Sequence, residues 1–230
     1  VTGVQTCALP IFLGLKAKLR LHEKQAAGTL LTRPEDLAVV GCPEHLAMAA
    51  NAADLGITLV KNTLGQLPLN PADHRRVRIY HLTGEVGGIT GGGEPEMLNA
   101  YIAALTERGY EVSVNDGNSR IKGRTLAYRD EVDAALILAE VVGYGAQNNY
   151  RIQWKTAMSN ECPWYVWEVP TFMVSHNFTT HLHDATMVKC YVNAYHPANV
   201  AATLDKLEGR SAFKGTPNDL VWTQKWQAKL

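Results

Sequence analysis

The sequence predicts an α/β fold: a three-layer sandwich with a mostly parallel sheet of five or six strands between helices. Three observations carry this. From Arg76 onward, strand-like and helix-like patterns alternate along the chain, as βαβ crossovers require. Ala134–Val142 (AALILAEVV) reads as an unbroken apolar run, the pattern of a central strand covered on both faces. The helical stretches between the strands carry an apolar stripe on one side, with Pro in the first turn or Gly at the stop.

The elements follow in order. Phe12–His22 reads as a helix, with Phe12, Leu15 and Leu19 at helical spacing and Lys16, Lys18 and Arg20 opposite. Glu23–Glu35 is polar, has no period and behaves as a linker. Pro43–Leu55 is a second amphipathic helix, marked by Leu46, Ala49, Ala50 and Ala53. Ile57–Val60 turns β-like and leads through Lys61-Asn62 to Leu67-Pro68-Leu69-Asn70. Arg76–Leu82 alternates as a strand. A glycine-rich loop, Gly84 to Gly93, then opens a helix with Pro95 in its first turn. Its stripe is Met97, Leu98, Tyr101, Ile102 and Leu105, and Gly109 is its stop.

Tyr110, Val112 and Val114 alternate with polar residues up to the turn signal Asp116-Gly117-Asn118. A short helix is expected at Thr125–Val132, before the Ala134–Val142 strand. A longer connection holds an aromatic cluster, Trp154, Trp164, Tyr165 and Trp167, and a helix candidate at Pro163–Glu168. Thr171–Ser175 and Met187–Tyr195 are the last strands, separated by the loop HNFTTHLHDA. The helix Pro197–Leu207 stops at Gly209, and the tail carries Trp222 and Trp226, expected to pack back on the body.

Composition narrows the partners. In 230 residues the apolar share is 46% and the charged share 19%, ordinary for a globular fold. Lys+Arg and Asp+Glu balance at 22 each, so no basic field exists to attract nucleic acid or anionic lipid. No apolar stretch approaches the roughly 18 residues that span a bilayer. Cys7, Cys42, Cys162 and Cys190 are widely separated, which argues against a disulfide framework or structural zinc site. That usage suits a reducing, cytoplasmic compartment without fixing one.

No residue earns a catalytic, cofactor-binding or metal-binding assignment from these patterns. Residues 84–93 sit where a dinucleotide-binding loop would, but no position completes G-x-G-x-x-G, and no Gly-Lys-Ser/Thr follows. A surface loop is the better reading. His181-Leu182-His183-Asp184 could contribute metal ligands, yet a His-x-His pair without further clustered ligands fits loop residues that hydrogen-bond the strand ends better. Ser159, Ser175 and Cys190 lack a nucleophile elbow, and Cys190 alternates with Val188 and Val192 on what reads as a buried strand face. Asn177-Phe178-Thr179 matches a glycosylation sequon, with no secretory context to support it. Trp154, Trp164, Tyr165 and Trp167 could form a sugar-binding platform, but such a cluster more often packs a core or an interface. No carboxylate pair stands out as glycosidase machinery.

Several segments together resemble the C-terminal part of glycoside hydrolase family 3, in particular the bacterial β-N-acetylglucosaminidase branch. They are Ile11–His22, Ala52–Asn62 with Leu67–Leu69, Asn149–Trp154, Val169–Asn177, His181–Tyr195 and Glu208–Pro217 (EGRSAFKGTP). The resemblance implies that an N-terminal TIM-like barrel precedes this domain. It further implies retaining hydrolysis of terminal β-N-acetylglucosamine, as in cell-wall recycling, with the aspartate nucleophile and His/Asp acid–base pair on that barrel. Neither motif occurs in this chain, so the chain alone is expected to be inactive and no catalytic role transfers to it. Val1–Ile11, with no helical or alternating period, resembles a translated sequencing adapter. The expected organisation is therefore 1–11 as an artefact, 12–34 as the end of the barrel plus a linker, and 35–230 as the α/β sandwich. Two other classes are carried alongside: a nucleotide-binding Rossmann-like module, and a carbohydrate-binding domain using Trp164 and Trp167.

Overall fold

The computed structural model describes residues 3–83, 96–115, 126–141, 152, 167–176, 179–194, 199–221 and 229. It divides into two units, Val1–Ala49 and Ala50–Leu230.

The first unit holds helices α1 (Gly3–Lys18) and α2 (Leu21–Ala26), a 3-10 turn at Pro34–Val39, and the start of α3 (Pro43–Leu55). Two expectations change here. The helix placed at Phe12–His22 begins at Gly3 and ends at Lys18, and Arg20, in the left-handed region at φ 54°, separates it from α2. Part of the Glu23–Glu35 stretch is helical as well, in α2 and in the 3-10 turn. Periodicity was the wrong criterion for both, because no residue from Leu9 to Ala50 is buried. A helix with no buried face needs no amphipathic stripe.

The second unit is one six-stranded sheet with helices against it. Its strands are β1 (Thr58–Asn62), β2 (Arg76–Thr83), β3 (Glu111–Val114), β4 (Ala134–Glu140), β5 (Thr171–Ser175) and β6 (Cys190–Asn193), in the spatial order β1-β6-β5-β4-β2-β3. Every pairing is parallel except β1 with β6. Helices α4 (Glu96–Glu107), α5 (Leu126–Glu131) and α6 (Val200–Leu207) complete it.

Alternation along the strands feeds two cores. Val77 and Ile79 of β2, Leu136 and Leu138 of β4, and Phe172 and Val174 of β5 face one side. There they meet Met97, Tyr101 and Leu105 of α4 and Leu204 and Leu207 of α6. Tyr80, Ile137, Met173 and Tyr191 face the other side, with Tyr128 and Val132 of the α5 region. Residues 134–139 of β4 are all buried, as a strand covered on both faces must be. Within the α4 stripe, Met97, Tyr101 and Leu105 are buried, whereas Leu98 and Ile102 are half-covered at its edge. β6 is shorter than the Met187–Tyr195 segment. Val188 precedes it and packs into the second core, while Cys190 and Val192 face the first.

Local devices close the elements. Gly109 at φ 93° ends α4, and Gly209 at φ 71° ends α6, a conformation that L side chains rarely adopt. Leu67-Pro68-Leu69 seats on α6: Leu69 is buried and its N–H donates to the Leu207 carbonyl at 2.8 Å. The Glu208 carboxylate is 3% exposed and accepts from Arg108 (2.6 Å), Arg210 (2.8 Å) and the Tyr110 hydroxyl (3.1 Å). Gly215 then passes so close to α3 and β1 that a Cβ there would lie 2.1 Å from the Leu55 carbonyl oxygen. The glycine loop 84–93, the turn Asp116-Gly117-Asn118, and Trp222 and Trp226 lie outside the described residues.

Candidate site at the carboxyl edge of the sheet

In an open parallel sheet, ligands sit outside the carboxyl ends of the strands where successive crossovers diverge. Here the chain leaves β2 for β3 on one side, then returns to β4 on the other. The divergence falls between β2 and β4. The side chains at that point are His81 and Glu140, with His81 Nε2 and Glu140 Oε2 3.1 Å apart. Parallel register pairs Leu82 with Ala139 and Thr83 with Glu140, which brings residues remote in sequence together. Both project on the α4 side of the sheet, following Ile79 and Leu138 by one alternation.

The same edge continues across β5 and β6. His176, directly after β5, is buried, and its Nε2 lies 2.9 Å from the Tyr101 hydroxyl, with the two rings edge-on. Burial raises the Tyr101 hydroxyl far above the ordinary phenol value, so it stays protonated. Ser175 projects to the opposite face, and its Oγ lies 2.8 Å from His181 Nδ1, with both residues buried. Asn193 Nδ2 donates to the Ser175 carbonyl at 3.2 Å.

These positions decide several sequence candidates. Ser175 does meet a histidine, but the pair is sealed inside and anchors the 3-10 turn Thr179–Asp184 to the end of β5. Tyr191 adds a second tie by donating to the Thr179 carbonyl at 3.2 Å. Asp184 Oδ2 accepts the Ile152 N–H at 3.1 Å, so His181 and Asp184 act as loop fasteners. Among the described residues, no three His, Cys, Asp or Glu side chains converge as metal ligands would. Burial pushes the Cys190 thiol up to about 12, which makes it inert as a nucleophile.

The aromatic cluster cannot be assembled from the described residues, because Trp154, Trp164 and Tyr165 lie outside them, as do Ser159 and Asn177-Phe178. Trp167 is described and lies outside the core: it is 64% exposed, with Lys189 Nζ 5.1 Å from its ring centroid. It precedes β5, and Lys189 precedes β6, which places both at the amino edge, opposite His81 and Glu140. Of the Pro163–Glu168 helix candidate, only residues 167 and 168 are described, in a turn. His81 and Glu140 were missed at the sequence level. The available signal was Glu140, the one charged residue inside the run of β4.

No family model matches the chain. A curated relative, a β-N-acetylglucosaminidase/β-glucosidase of Cellulomonas fimi, is 30% identical over 228 residues, covering 97% of this chain and 40% of that protein. A solved β-glucoside phosphorylase superposes with a TM-score of 0.77 at 30% identity, covering 89% of this chain and 36% of that one. The relatives align in their C-terminal portion. In sequence and fold, this chain is similar to the C-terminal domain of glycoside hydrolase family 3. A family 3 β-N-acetylglucosaminidase from Paenibacillus shares the fold at 14% identity and a TM-score of 0.52, over 85% of this chain and 37% of its own. The chain thus spans about two fifths of the relatives' length, and its mostly parallel sheet matches theirs.

Proposed function

We propose that this domain is the non-catalytic companion of a family 3 glycosidase barrel acting on terminal β-linked N-acetylglucosamine. The observation that carries the reading is the 30% identity across 97% of the chain to a protein named for β-N-acetylglucosaminidase and β-glucosidase activity. Its site chemistry agrees. The Ser175–His181 pair is sealed and Cys190 is inert. Support for an additional body in the polypeptide comes from the first unit, where Phe12, Leu13, Leu15 and Leu19 are each about half exposed or more. Removing the exposed half of such a run from water is worth on the order of 1 kcal/mol per side chain, which favours contact with a neighbouring body.

The test is to recover the coding sequence upstream of Val1 and express the contiguous protein. Release of N-acetylglucosamine from a chromogenic β-N-acetylglucosaminide supports the proposal; an upstream region without a barrel sinks it. A second reading, in which phosphate rather than water accepts the sugar, is favoured by the β-glucoside phosphorylase, the neighbour at 0.77. Formation of a sugar 1-phosphate only when inorganic phosphate is supplied would select it. A nucleotide-binding role fits the edge poorly, since Glu140 would repel a pyrophosphate at the divergence point.

A further inference from the structure

The His81–Glu140 pair requires a physical reason for being where it is. Residues 134–139 of β4 are buried on both faces, yet the strand ends in a carboxylate whose side chain remains 22% exposed. A charge at the rim of a hydrophobic layer is tolerated only with polar company, and the His81 ring, 9% exposed on its side chain, supplies part of it. The Nε2–Oε2 separation of 3.1 Å steadies one oxygen of the carboxylate. A carboxylate has about four acceptor sites, more than one imidazole can fill.

Location and chemistry narrow what this pair can take. It stands at the divergence of the β2 and β4 crossovers, where open α/β sheets receive ligands. Its acceptor-rich, negative character rejects phosphates and carboxylates and suits neutral donors. Two hydroxyls on adjacent carbons of a sugar ring match the two oxygens of one carboxylate. The amino-edge Trp167, its face taken by Lys189, offers no comparable place.

We infer that His81 and Glu140 form a hydroxyl-binding subsite for a neutral hexose ring, contributed by this domain. Glu140 accepts hydrogen bonds from vicinal hydroxyls, and His81 is the positioning residue that fixes the carboxylate. The inference rests on the glycosidase reading above, which supplies the ligand class.

Two arms separate the failure of one from the failure of the other. In the first, the imidazole signals of the full 230-residue chain are followed by NMR while glucose, N-acetylglucosamine or ADP is added. Saturable shifts of the His81 signals with either sugar, none with ADP, and about fivefold weaker sugar binding in E140Q are expected. His81 signals that stay fixed at high millimolar sugar, or a preference for ADP, overturn the subsite. H81N serves as the second variant should E140Q fail to fold, and it is expected to weaken sugar binding in the same direction. In the second arm, E140Q in the contiguous enzyme is expected to raise KM about fivefold with kcat nearly unchanged, the pattern of lost uniform binding. An active enzyme with unaltered KM overturns the subsite and leaves the glycosidase reading standing. A barrel-containing protein that cleaves no glycoside overturns that reading, and the NMR arm alone then decides the subsite.

Discussion

Adding a single methyl group at Gly215 tests how closely the segment after α6 is held. The Cβ of Gly215→Ala would lie 2.1 Å from the Leu55 carbonyl oxygen, 2.8 Å from the Thr58 Cγ2 and 3.3 Å from the Ile57 carbonyl oxygen. Ordinary contact begins near 3.4 Å, so the nearest oxygen and the methyl must separate by more than 1 Å. Two of the three obstacles are backbone atoms at the junction of α3 and β1, which cannot rotate aside. Overpacking of this kind costs about 1–3 kcal/mol, and the backbone obstacles argue for about 2–3 here. For a chain of this size, each kcal/mol moves Tm by about 2–4 °C, which gives a fall of roughly 4–12 °C. Scanning calorimetry of G215A beside the parent chain measures it. Gly65→Ala is the control: its φ of 60° is strained for alanine, but a Cβ there meets nothing within 4 Å, so a smaller fall of about 1 kcal/mol is expected. A G215A melting point within 1 °C of the parent would refute the close approach of residues 209–218 to β1.

Three further outcomes follow from the charged groups. Glu208→Gln should cost about 3 kcal/mol in a urea titration, because Arg108 would lose its most buried partner and Tyr110 a charged acceptor. For Asp133, the hydrogen bonds from Arg76 hold the carboxyl below its ordinary value. Its contribution is therefore full above the unfolded pKa of about 3.9 and disappears as pH falls through the depressed folded value. The stability gap between the parent and D133N should narrow below pH 4, and a gap constant from pH 6 to 2 would contradict this. Burial first, and then the charge of Lys189, push the Lys61 ammonium down to about 8. The native state then loses that proton before the unfolded chain does, so stability should rise between pH 8 and about 10.4. That rise should be missing in K61M.

The sheet was legible because a parallel layer buried on both sides writes itself into composition. The apolar run of β4 and the alternation in β2 need no tertiary context, and Thr171–Ser175 and Pro43–Leu55 match their elements end for end. α1 was misread for the opposite reason: with no buried face, its helix leaves no stripe to find. The edge strand β3 was found by alternation, although it buries little. Pairing is what the sequence could not show. Glu140 meets His81 only through the β2–β4 register, and Ser175 meets His181 only because the 3-10 turn folds back on β5. Likewise EGRSAFKGTP reads as a family signature, but its cause is spatial: Glu208 collects Arg108, Arg210 and Tyr110, and Gly215 clears the Leu55 carbonyl.

The central claim is that this domain assists a glycosidase without carrying its chemistry. The most direct measurement is an assay of the purified 230-residue chain on chromogenic β-N-acetylglucosaminide and β-glucoside, with and without inorganic phosphate. No release above the buffer blank is predicted under any of these conditions. Turnover that purifies with the chain and disappears in E140Q would contradict the claim and place the chemistry on the carboxyl edge of this sheet.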